Sequence, residues 1–254
     1  MSGLVLVAGA TGQLGSAIVR KLLERGVPVR ALARNAAKLE PLRAAGAEIA
    51  AVDMLNLSKL TEACRGVAQI VSTANNNMGT GATSPLRVDL TAHQNLCAAA
   101  RNTAVQRLIY ISYRGAAPDV PVDIFSLKWH IEDAIRRSGV PYVAIRPTAL
   151  MDIWVNQMLA PKMRASKVAM IFGDGSTVAN YIAVDDVADF VVAALGRPEI
   201  RNEVIEVGGP SDMSLNDMVS VIEKRLGART NMELVIPAAF QRQSSGSWFG
   251  GVAT

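Results

Sequence analysis

Three glycines spaced three apart, Gly9, Gly12 and Gly15, lie in the run Gly9-Ala10-Thr11-Gly12-Gln13-Leu14-Gly15, directly after the apolar stretch Leu4–Val7. Leu14, Ile18 and Leu22 then fall on one helical face. The pattern predicts a buried strand, a tight turn and the first turn of a helix. Backbone N–H groups at that turn have no intrahelical partner and sit at the positive end of the helix dipole. Missing side chains let an anion approach, so Thr11, Gly12, Gln13, Leu14 and Gly15 form a pyrophosphate cradle. A dinucleotide is the ligand this chemistry fits. Strand–helix packing without a ligand is the plainer alternative.

A second set of residues stands where later strands should end. Arg34 closes the segment Val29-Arg30-Ala31-Leu32-Ala33-Arg34, and no acid occurs from Val27 to Lys38. A carboxylate is usual there when a ribose 2′-hydroxyl is held, whereas a planar guanidinium suits a 2′-phosphate. Lys38 adds a second charge, so NADP(H) is preferred over NAD(H). Asp53, followed by Met54, offers a carboxylate to an adenine amino group or a cap to the next helix. Thr73, Ala74 and Asn75, with Asn76 and Asn77, follow the fourth strand along the expected cofactor path, although asparagine runs also form plain turns.

Lys128 interrupts the helical stripe Ile124, Ile131 and Ile135. A lysine is rarely buried without a partner, and desolvation would lower its pKa toward a general-base range. Its ammonium could otherwise hold ribose hydroxyls; a lysine snorkelling at the core edge is the structural alternative. No cluster of metal-ligand spacing stands out.

These residues need a framework that gathers strand ends. Strand patterns at Val27–Ala33, Glu48–Val52, Gln69–Thr73, Arg107–Ser112 and Tyr142–Arg146 alternate with helical ones at Ala36–Ala45, Ser58–Cys64, Leu86–Asn102 and Ser126–Ser138. Such alternation predicts an α/β fold, a doubly wound parallel sheet of Rossmann type. Ligands bind such sheets outside the carboxyl ends of the strands. Residues 1–148 read as the nucleotide-binding core. Residues 149–240 read as late sheet elements interleaved with a small C-terminal substrate lobe, and 241–254, rich in Ser and Gly, as a loose tail or flap. Within the lobe, a helix is expected over Ala149–Ala165 and another from Val187 to Leu195. Ser214 and Asp217 are spaced as a capping box opening a helix to Leu226.

Composition agrees. Half of the 254 residues are hydrophobic, enough for one large core, and only 5% are aromatic, so Ala, Val, Leu and Ile must fill the interior. A net charge of +4 without a dense basic run argues against nucleic acid. Cys64 and Cys97 form no CxxC pair and read as buried thiols of a cytoplasmic protein. The first strand begins almost at once and no apolar run spans a bilayer, so neither signal peptide nor membrane anchor is expected.

The Gly9–Gly15 turn, Arg34, Asp53, Ser112, Lys128 and the run Gly139-Val140-Pro141-Tyr142-Val143-Ala144-Ile145-Arg146-Pro147 together resemble the atypical short-chain dehydrogenase/reductases. The similarity is to the NmrA-like group, with its NAD(P)H-binding quinone reductases and isoflavone- and phenylcoumaran-type reductases, and covers the chain to about Leu226. The resemblance implies NADPH bound across the sheet, with its nicotinamide near Ser112, Lys128 and Pro147. It implies a catalytic lysine at Lys128, a carbonyl-polarising serine at Ser112 and a substitute acid at Tyr113. Typical members carry Tyr four residues before the lysine; here Ile124 stands there. The expected activity is hydride transfer to a small quinone-like, aromatic or carbonyl substrate, with a homodimer compatible. Relatives lacking the tyrosine include redox sensors and assembly factors, so a non-catalytic NADP(H)-binding protein is the alternative.

Overall fold

The computed structural model describes residues 3–75, 85–120 and 123–235. In chain order its strands are β1 (Leu4–Ala8), β2 (Val29–Ala33), β3 (Glu48–Ala51), β4 (Val67–Ser72), β5 (Arg107–Ile111), β6 (Tyr142–Pro147), β7 (Ala149–Leu150), β8 (Val168–Phe172), β9 (Val178–Ile182), β10 (Glu203–Val207), β11 (Asp212–Ser214) and β12 (Asn231–Val235). The helices are α1 (Gln13–Glu24), α2 (Glu40–Ala44), α3 (Leu57–Ala63), α4 (Pro85–Asn102), α5 (Asp123–Arg137), α6 (Met151–Ile153), α7 (Ala160–Ser166), α8 (Val184–Leu195) and α9 (Leu215–Leu226).

Contacts divide the chain into two units: residues 1–148 with 184–207, and 149–183 with 208 onward. The first holds a seven-stranded sheet of order β10-β6-β5-β4-β1-β2-β3, with every neighbouring pair parallel. This is the expected Rossmann-like α/β fold. Its strands are near-continuous apolar runs because helices cover both faces. Leu6, Leu108, Tyr110 and Ala144 form one core cluster with Leu60, Leu96, Leu127 and Ile131 of α3, α4 and α5. Alternate strand residues such as Val5, Val7 and Ile109 turn the other way, and α1 and α8 pack together, tied by Lys21 Nζ at 2.9 Å from both Asp185 and Asp189.

Arg107 closes the sheet's far end. Its guanidinium is buried and donates to the Gln69 side chain and to the carbonyls of Ala194, Leu195, Arg197 and Ile200. Those carbonyls belong to the end of α8 and the turn after it; those of Ala194 and Arg197 also accept from the N–H groups of Arg197 and Ile200.

Strand order reverses between β1 and β4, and their carboxyl ends are bound to each other there. Thr73 N donates to the Ala8 carbonyl at 2.9 Å, and Thr73 Oγ1 reaches the carbonyls of Ala8 and Gly9 at 3.1 and 3.2 Å.

In the second unit β9 pairs with β11 and β7, and β8 with β12. Met163, Ile171, Tyr181, Met218 and Ile222 form its core. The α9 capping box is present: Ser214 Oγ accepts from Asp217 N at 3.1 Å, and Asp217 Oδ2 accepts from Ser214 N at 2.8 Å.

Three helices differ from expectation. The segment expected helical over 36–45 is a 3₁₀ turn (Ala37–Leu39) followed by the short α2, with Pro41 in its first turn. Proline is tolerated there but not inside a continuous helix. The segment expected helical over 149–165 starts as β7, paired with Tyr181 and Ile182, and continues through α6 and a π-helical stretch, Trp154–Leu159. Pro161 then opens α7. The helix expected from Val187 begins at Val184, which puts Asp185 and Asp186 in its first turn, where the dipole favours acids. The expected tail, 241–254, lies outside the described residues.

Candidate active site

The three glycines of the first turn serve different needs. Gly9 has φ +80°, and a side chain there would come within 2.7 Å of Ala74 N. At Gly15 a Cβ would collide with the Gly9 carbonyl oxygen, so this glycine lets helix and strand close together. Gly12 is unlike both. Its backbone is extended (φ −77°, ψ 166°), and a Cβ would meet only the Gly9 carbonyl oxygen, at an ordinary 3.4 Å. The chain itself does not require glycine there. The helix it opens has no side-chain cap and no acid in its first turn. Its positive end, flanked by exposed Thr11 and Gln13 and anchored by buried Leu14, fits a diphosphate.

Around this turn the strand ends carry polar groups with spare capacity. Arg34 and Lys38 are exposed, and neither side chain has a hydrogen bond or ion pair among the described residues. Asp53 Oδ1 accepts from Leu55 N at 2.9 Å, leaving Oδ2 without a partner among the described residues. The cap of α3 is Asn56, which accepts from Lys59 N at 3.1 Å, so Asp53 is not needed as a helix cap. Met54 is buried and its carbonyl accepts from Asn95 Nδ2 at 3.0 Å. Ala74 lies against Gly9, and Asn75 makes a side-chain hydrogen bond to the Tyr113 hydroxyl. Asn76 and Asn77 lie outside the described residues.

Lys128 is 2% exposed and does not snorkel. Its Nζ donates to the Ile111 carbonyl at 3.3 Å and lies 5.1 Å and 4.9 Å from the ring centres of Tyr110 and Tyr113. Burial pushes the amine down to about 8, against the opposing pull of the Asp89 and Glu132 carboxylates. Burial also holds the Tyr113 hydroxyl above its ordinary value. The next residue along from Ile111 is Ser112, whose backbone N donates to the Ile145 carbonyl at 2.8 Å. The Ser112 hydroxyl is buried and without a hydrogen-bond partner among the described residues, an arrangement that normally calls for an explanation. Pro147 ends β6, buried, with its carbonyl accepting from Arg114 N at 2.9 Å. Ile124 packs against the core and offers no acid.

The sequence pattern of NAD(P)H-binding proteins matches residues 9–198. The chain belongs to that NAD(P)H-binding family. An NAD(P)H azoreductase of Xenophilus azovorans is 29% identical over 226 residues, 88% of this chain and 74% of its own length. A Photosystem II assembly factor, Ycf39 of Cyanophora paradoxa, is 27% identical over 236 residues, 93% of this chain and 72% of its own. The Citrobacter sp. triphenylmethane reductase complexed with NADP(H) aligns at a TM-score of 0.76 over 91% of this chain and 79% of that one, with 22% identity, a likeness of fold. The NAD(P)H-binding protein fits the NmrA-like, atypical short-chain dehydrogenase/reductase type and is reductase-like in kind.

Between the sheet and the helices α4 and α5 lies a polar layer that the sequence reading did not single out. His93 and Asp89, four residues apart on α4, are both buried, and the His93 ring meets Tyr110 edge-on at 5.0 Å. The Tyr110 hydroxyl is buried without a partner among the described residues. Glu132, four residues after Lys128, is gripped by Arg146 of β6 at 2.7 and 3.0 Å. The i,i+4 spacing of Asp89 with His93 and of Lys128 with Glu132 was the available signal. The partners on β4, β5 and β6 required the sheet register.

Proposed function

We propose that this chain is an NADPH-preferring reductase that passes hydride to a small electron-poor acceptor of the quinone, aromatic or carbonyl class. The observation that carries the reading is Lys128: a fully buried amine lowered to about 8, held by the carbonyl next to Ser112, whose hydroxyl is unpartnered among the described residues. Perturbed groups of this kind gather where chemistry is done. Gly12, with space for a side chain that the sequence does not use, supports a diphosphate at α1. Arg34 and Lys38, unpaired among the described residues, support a 2′-phosphate, and Asp53 Oδ2 supports an adenine amino group.

A bound reduced nicotinamide supplies hydride. The chain supplies the rest. Ser112 Oγ–H donates a hydrogen bond to the acceptor oxygen as negative charge builds on it. The Lys128 ammonium gives the proton, assisted by the low dielectric around it. A quinone takes hydride readily and asks little of the proton donor, which suits a site with Ile124 in place of tyrosine. The azoreductase relative supports an acceptor with a reducible conjugated system.

Ile124 also favours a second reading: an NADP(H)-binding protein that reports cofactor state to a partner without turnover. The assembly-factor relative supports it. Steady-state NADPH oxidation with a panel of quinones, azo dyes and aldehydes separates the two. Acceptor-dependent consumption is expected. Tight NADPH binding with no consumption across the panel overturns the reductase and leaves the second reading.

A further inference from the structure

The pair formed by Glu132 and Arg146 has no part in the reading above, and it sits one helical turn from the amine on which that reading turns. Arg146 Nε donates to Glu132 Oε1 at 3.0 Å and Arg146 Nη2 to Oε2 at 2.7 Å, so both carboxylate oxygens are occupied. The side chains are 9% and 18% exposed. Beyond them Arg146 Nη1 lies 3.7 Å from Glu206, and Arg114 Nε lies 3.3 Å from the same carboxylate. A pair this buried is weak support for stability, because apolar residues of equal volume usually do as well. Its position gives it another role.

We propose that Arg146 is a positioning residue for Lys128: by occupying both oxygens of Glu132 it keeps that carboxylate from pairing with the amine one turn earlier on α5, and so leaves Lys128 able to lose and regain a proton. The consequence for catalysis rests on the reductase reading; the control of charge does not. The other groups around Lys128 are Asp89 and His93 from α4, and Tyr110 and Tyr113 from β5 and the turn after it. His93 is neutral near pH 7 and the tyrosines are held protonated, so among the described residues Asp89 and Glu132 are the charges that favour the ammonium. Were Glu132 released, both carboxylates would hold the amine charged, and a locked ammonium is a poor acid/base group.

The test reads Lys128 directly. With ¹³C-lysine-labelled protein, the Lys128 signal is identified by its loss in Lys128→Arg and titrated without cofactor or substrate. Glu132→Gln, nearly isosteric, should move the midpoint down by about one pH unit, and Arg146→Gln should move it up by a similar amount. Arg146→Lys, which keeps the charge, should fall between Arg146→Gln and the parent. Loosened packing would admit water and move both glutamine variants upward. That result, or midpoints that do not move, overturns the proposal. If the midpoints move in opposite directions while the pH profile of NADPH oxidation stays fixed, the proposal stands and Lys128 ceases to be the proton donor.

Discussion

The Ser72 hydroxyl lies 2.9 Å from Nε2 of His93, a fully buried imidazole whose tautomer decides which of the two donates. The other ring nitrogen, Nδ1, lies 2.7 Å from the Asp89 carbonyl, which can only accept. Nδ1 therefore carries a proton; burial keeps the ring from taking a second, so Nε2 accepts from the Ser72 hydroxyl. Through Ser72 the imidazole also steadies the end of β4, next to Thr73 and the first glycine turn.

Acid should expose this arrangement. Burial, foremost, lowers His93 from 6.5 to about 4. Between those values the unfolded chain takes a proton that the folded one refuses, so stability is fully present above pH 6.5 and declines as pH falls toward 4. The total loss is about 3 kcal/mol. Urea unfolding at pH 7 and pH 5 should show about 2 kcal/mol of that loss, and His93→Gln should flatten the difference. Asp217 and Glu223, whose carboxyls are held low by hydrogen bonds, contribute only further down the scale.

Gly12 and Gly15 should separate binding from folding. Gly12→Val leaves a folded protein that fails to bind NADPH, because its side chain enters space the chain leaves open. Gly15→Ala strikes the Gly9 carbonyl and costs about 1–3 kcal/mol of stability, as overpacking does. Thermal melting with and without NADPH distinguishes the two; a Gly12→Val protein that still shifts with NADPH reduces the motif to a packing turn.

Arg34→Ala should weaken NADPH about ten- to a hundredfold and NADH little, since a charge-assisted contact is worth about 1.5–3 kcal/mol. Titration calorimetry with both cofactors is the measurement. Equal losses would remove Arg34 from the 2′-phosphate.

Lys128→Met should reduce turnover by about 10²–10⁴ while cofactor affinity falls much less. With the parent enzyme, proton donation by an ammonium whose pKa lies at about 8 should fade as pH rises through that value. If binding and turnover fall together, the lysine holds the nicotinamide ribose instead.

Much of this was legible in the sequence where the information is local. The Gly9–Gly15 spacing, the Ser214–Asp217 box and the stripe that buries Lys128 each lie within one or two turns of chain, and period alone exposes them. The hydrogen bond of Ser72 to His93 and the grip of Arg146 on Glu132 join separate elements, so nothing along the chain announces them. The misread segment from Ala149 failed for the same reason: its first two residues pair with Tyr181 and Ile182, over thirty positions later.

Arg107 carries a consequence for biosynthesis. Its four carbonyl partners lie 87 to 93 residues downstream, past the whole 149–183 segment, and so does β10, which pairs with β6. A nascent chain extruded only as far as residue 148 holds every glycine of the nucleotide turn, yet it has an open outer edge on β6 and a guanidinium with four acceptors still unmade. The sheet is therefore completed only once residue 207 has been made, and a ribosome that stalls before it releases a chain with an unpaired strand edge, the kind of surface on which other chains aggregate.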